Sequence, residues 1–102
     1  PVLYYTTSAS ANWTLNIRAN ASVSLNALMI TGQALTVTHL VTQGATAYYA
    51  SAVTIDGNAI TPKWQGAAPS AGNANNVDAY TFTVIKTADA TFTVFASQVG
   101  FA

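Results

Sequence analysis

Polar and apolar residues alternate along almost the whole of this chain, and that period of two excludes a predominantly helical fold. Asn12-Trp13-Thr14-Leu15-Asn16-Ile17-Arg18 places Trp13, Leu15 and Ile17 on one face of an extended strand. Val23-Ser24-Leu25-Asn26-Ala27 resumes the alternation and predicts a second strand, and Leu35 to Thr42 predicts a third. Tyr80-Thr81-Phe82-Thr83-Val84 and Thr91-Phe92-Thr93-Val94-Phe95 repeat one pattern near the end of the chain. Threonine is the recurrent polar partner, as suits a β-branched residue on a half-exposed pleat.

Turn signals separate these runs. Ala19 to Ser22, Thr31-Gly32-Gln33 and Gln43-Gly44 interrupt the alternation. In the middle, Asp56-Gly57-Asn58 joins two apolar runs into a hairpin with two open registers. A Gly57-Asn58 loop pairs Ile55 with Ile60 and Thr54 with Thr61. An Asp56-Gly57 loop opposes Ile55 with Asn58. Pairing of like with like favours the first, although Asp-Gly is the commoner two-residue turn. Pro62 lacks a ladder donor, so its strand is expected to be an edge or to end early. Residues 65–77 read as a long loop of small residues. A three-residue loop at Thr87 to Asp89 pairs Val84 with Phe92 and Phe82 with Val94. The expectation is a single all-β domain over residues 1–102: an antiparallel β-sandwich or jelly roll of seven to eight short strands, with no significant helix.

Charge narrows the chemistry. Arg18, Lys63, Lys86, Asp56, Asp78 and Asp89 are the only formally charged side chains, and there is no Glu, no Cys and one His. At 6% charged residues, against about a quarter in an average domain, the groups that build acid–base pairs and metal clusters are nearly absent. No catalytic residue, cofactor or metal is expected. His39 shares the Leu35, Val37 and Val41 face and reads as a core or interface histidine. Asp56 and Asp89 sit where turns use Asp, and Asp56-Gly57-Asn58 is too short for a calcium loop. Nucleic acid is disfavoured because phosphate neutralisation needs clustered Lys and Arg. No apolar run approaches the roughly 20 residues of a membrane helix. Asn12-Trp13-Thr14 and Asn20-Ala21-Ser22 fit the glycosylation acceptor pattern and read as chance matches in an Asn- and Thr-rich chain.

Aromatic residues remain the best handle on binding. Trp13, Phe82 and Phe92 lie on inward faces. Trp64 opens the long loop and, beside Gln65, Asn73, Asn75 and Asn76, is a candidate for stacking on a sugar; the plainer reading is a cap on the open end of the sandwich. Tyr48 and Tyr49 point to opposite faces, and either is a candidate subunit contact.

Several stretches together resemble a module of virion structural proteins from tailed bacteriophages, especially marine cyanophages. They are residues 12–18, Leu40 to Tyr49, Ile55 to Asn58, Thr61 to Gly66, Ala71 to Ala74, Asp78 to Lys86, and Ala90 to Ala102. The pattern departs at Ala67, where a second Gly is expected, and at Val99, where a more polar residue is expected. The resemblance implies a C-terminal module of a longer protein, in keeping with the opening Pro1-Val2-Leu3-Tyr4-Tyr5 that lacks Met. It implies a place on the particle surface, in a tail fibre or spike or in a capsid fibre or decoration. The partners implied are other virion copies, trimeric by analogy. A carbohydrate-binding module for host surface glycan is the alternative reading, and a self-assembling surface-filament subunit a third.

Overall fold

The computed structural model describes residues 2–102, and eight strands with one short helix account for the regular structure. In chain order these are β1 (Val2–Tyr5), β2 (Trp13–Ile17), α1 (Leu25–Leu28), β3 (Ala34–Thr42), β4 (Ala50–Ile55), β5 (Asn58–Ile60), β6 (Lys63–Trp64), β7 (Val77–Ala88) and β8 (Thr91–Phe101). They form a five-stranded sheet, ordered β1-β3-β7-β8-β6, and a three-stranded sheet, ordered β2-β4-β5. The all-β expectation holds. The antiparallel part of it does not, because both sheets are mixed: β1 runs parallel to β3, β2 to β4, and β6 to β8. The first four strands alternate between the sheets, so neighbours within a sheet are not consecutive and cannot be hairpin partners.

The core lies between the sheets. Leu15, Ile17, Val53 and Ile55 from the small sheet meet Val37, Val41, Phe82, Val84 and Val94 from the large one. Strand β7 is central and the most apolar inside, with Tyr80, Phe82 and Val84 fully buried. Tyr80 and Phe82 stack at 6.3 Å, and Trp64 meets both edge-on.

Three local expectations are corrected. Val23 to Ala27 is not a strand: Ser24 caps α1, its Oγ accepting from Ala27 N at 3.0 Å. An isolated helix of four residues is unstable, and distant groups hold this one at both ends. The Asp56 carboxylate accepts from Leu25 N (2.6 Å) and Asn26 N (3.0 Å), while Lys86 Nζ donates to Asn26 O (2.8 Å) and Met29 O (2.9 Å). An anion at the N-terminus and a cation at the C-terminus both suit the helix dipole. The alternation misled here because the charged partners at the two helix ends, Asp56 and Lys86, lie at least 30 residues away in sequence.

The hairpin registers also differ. Ile55 opposes Asn58 and Val53 opposes Ile60, the Asp56-Gly57 loop that like-with-like pairing disfavoured. Asp56 and Gly57 both take positive φ (52° and 80°), the primed turn that matches strand twist. This register keeps an apolar pair at Val53–Ile60, and the Asp56 side chain serves α1. At the last hairpin Val84 opposes Val94 and Phe82 opposes Ala96, around a two-residue turn at Asp89-Ala90 with an irregularity between Lys86 and Ala88. A shift of two residues preserves which face is buried, so the inward set survives.

Candidate functional site

Two loops meet at one end of the sandwich in a polar knot centred on Asp78. Asp78 is fully buried at the entry to β7, and its carboxylate accepts from Gln43 Nε2 (3.0 Å), Asn73 N (3.0 Å) and Asn73 Nδ2 (2.6 Å). Gln43 braces its own loop through its amide, donating to the Tyr48 carbonyl and accepting from Tyr48 N at 3.1 Å. Asn76 O accepts from Gln43 N and Gly44 O from Asn75 N, both at 2.9 Å. A Cβ at Gly72 would collide with the Tyr48 carbonyl and the Gln43 amide, so only glycine lets the loops approach this closely.

Of the residues singled out for sugar or partner contact, Tyr48, Asn73, Asn75 and Asn76 are therefore brought together with Gln43 and Asp78. Asn75 takes a turn with φ of 60°, and the Asn73 amide is committed to Asp78. Tyr49 is half-buried and donates its N–H to Asn12 Oδ1 at 3.0 Å. Trp64 stands elsewhere. It pairs with Ala96, whereas Asn73 lies over Gly100, four residues and roughly 13 Å further along β8. Half-buried, its ring forms part of the wall of a cleft of about 490 Å³ lined by Ala50, Ser51, Ala52, Thr61, Ala67 and Pro69 among others, with no charged group. Gln65 is exposed, and its N–H is bound to Ala96 O at 2.8 Å.

His39 is buried as expected. Tyr5, Trp13 and Tyr80 surround it at centroid distances of 5.1, 5.8 and 5.9 Å. Neither ring nitrogen has a hydrogen-bond partner among the described residues. Burial pushes the imidazole below its ordinary 6.5, and the Leu3 backbone, opposite it in the β1–β3 ladder, offsets this only in part. The unfolded chain thus takes up a proton at a higher pH than the folded one. Stability is full above about pH 6.5 and falls as the pH drops below it. Urea midpoints at pH 7.5 and 5.5 are expected to fall for the wild type and to stay level for His39→Phe; equal slopes in both proteins would refute the assignment to His39.

The outward face of the five-stranded sheet was missed in the sequence. From β1 to β8 it carries no charged side chain; Lys63 stands at the margin on β6. One row crosses four strands as Tyr4–Leu40–Ala79–Val99, and Val77–Phe101 adjoins it. Tyr4, Val99 and Phe101 are about half exposed. The next row, Val2–Thr38–Thr81–Ser97, is mostly hydroxylic. The signal was the second phase of the alternation: Ala79 and Phe95 are apolar although Tyr80, Val94 and Ala96 beside them already supply the core, and Val77, Val99 and Phe101 continue that phase.

No protein-family model, curated protein or solved structure matches this chain. Among the described residues, no group of three or more His, Cys, Asp or Glu lies together to hold a metal ion, and no helix is long and apolar enough to cross a membrane.

Proposed function

We propose that this chain is a non-enzymatic structural module of a phage particle, one that assembles with other copies of itself and presents its loops at the particle surface. The observation that carries the assembly part is the uncharged outward face of the large sheet. Large apolar residues stand exposed there, and no charge has to be desolvated when another protein covers them. The phage part rests on the sequence resemblance. The charged side chains fit a scaffold role: Asp56, Lys86 and Asp89 serve α1 and its neighbouring turn, and Asp78 ties two loops. The glycan alternative has less support, because Trp64 lies apart from the Asn-rich loop and the Asn73 amide is already bonded.

An antibody raised against this chain is expected to label intact particles in electron micrographs, on tail or capsid. Recovery of the chain only outside purified particles would overturn the phage reading.

A further inference from the structure

We infer that a second copy of this chain packs about a two-fold axis onto the outward face of the five-stranded sheet, centred on the Tyr4–Leu40–Ala79–Val99 row. The inference rests on the assembly reading and adds the surface, the partner and the symmetry.

Three observations on the same face support it. The first is its size. Strands β3, β7 and β8 run for 9, 12 and 11 residues, and β1 adds four more. At about 3.4 Å per residue and 4.8 Å between strands, the flat face spans about 600 Å² before side-chain relief is counted. A standard interface covers about 800 Å² per partner, so this one face nearly suffices.

The second is charge. A two-fold axis brings a patch against itself, so a charge on it faces the same patch of the second copy and, at the axis, its own copy. This face has none between β1 and β8 and therefore meets no such repulsion. A strongly charged partner would gain no ion pair here and would set its charges against Val99 and Phe101. The hydroxylic row beside the apolar one tolerates water before association and offers hydrogen bonds after it.

The third is β1. Its four residues, Val-Leu-Tyr-Tyr, are all exposed, and it is held by a single ladder to β3. Tyr5 packs on His39, but Val2 and Tyr4 face outward and contribute little while they remain in water. A sheet from a second copy, packed about 10 Å away as in a β-sandwich, would cover Val2 and Tyr4.

Sedimentation velocity over a wide concentration range tests this with three proteins: wild type, Val99→Lys, and Thr14→Lys on the outward face of the small sheet. Val99 is about half exposed and Thr14 is exposed, so neither change disturbs the core, and circular dichroism checks this. The wild type and Thr14→Lys are expected to dimerise alike, and Val99→Lys to dissociate at least tenfold more readily. Equal dimerisation by all three overturns this interface and leaves the assembly reading standing, as does equal weakening by both lysines. A mass of three chains overturns the two-fold arrangement alone. A wild type that stays monomeric at the highest concentration overturns the interface and the assembly reading together.

Discussion

Asp78→Ala is expected to destabilise the domain by about 2–4 kcal/mol, the range for leaving several donors to a buried carboxylate without an acceptor. Its carboxylate takes three hydrogen bonds, all from uncharged donors: Gln43 Nε2, Asn73 N and Asn73 Nδ2. Burying a charge costs several kcal/mol, and charge-assisted bonds of about 1.5–3 kcal/mol each offset it. Removing the acceptor removes those bonds and strands the buried Gln43 donor, while the two Asn73 donors lie nearer the surface. Asp78→Asn keeps the shape but turns one acceptor into a donor facing other donors, so it is expected to recover little. At about 4–8 °C per kcal/mol for a domain near this size, the Ala variant should melt roughly 10–25 °C lower. Urea unfolding checks the magnitude, and hydrogen exchange at residues 71–76 checks the place. A loss below about 1 kcal/mol, smaller than a single buried donor left unmet, would show that water satisfies the knot.

That knot also shows what the sequence made legible and what it did not. Period two correctly marked most strands and the buried set, because burial of one face is a local property that repeats every second residue. The same parity carried more information than its apolar members used. Asp78 and Lys86 share the phase of Tyr80, Phe82 and Val84, so the alternation itself placed two charges inside the sandwich. Their partners lay beyond local reasoning: Gln43 is 35 residues from Asp78, and Asn26 is 60 from Lys86. The parallel pairings were hidden for a related reason. Turn chemistry reports which strands are joined by hairpins, but it says nothing about which strands meet after the chain has crossed between sheets. Of the candidate contact residues, the Asn-rich loop and Tyr48 converge because Asp78 and Gln43 gather them, whereas Trp64 is fixed by its ladder to β8 and by the rings of Tyr80 and Phe82.

Those rings set the other large effect. Phe82→Ala is expected to cost about 3–5 kcal/mol, a sizeable part of the roughly 5–15 kcal/mol that holds a domain of this size together. Phe82 is fully buried on the central strand, stacked on Tyr80 and met edge-on by Trp64 at 5.8 Å. Its ladder partners are Val37 on one side and Ala96 on the other. Ala96 is too small to fill the space, and Val37 is stiff at χ1, so the cavity cannot readily collapse. Phe82→Leu retains most of the volume and should cost less than half as much. Trp64 supplies a local readout. With Trp13 replaced by Phe as background, Phe82→Ala should shift Trp64 emission to the red as water reaches the ring, and Phe82→Leu should shift it less. Unchanged emission with a full loss of stability would mean that Trp64 is held by β8 alone. The distinction bears on the assembly reading, because β6, which Trp64 ends, borders the face proposed to pair with a second copy. A margin anchored in the core keeps that face in shape before the partner arrives, whereas a margin held by two ladder residues would need the partner to order it.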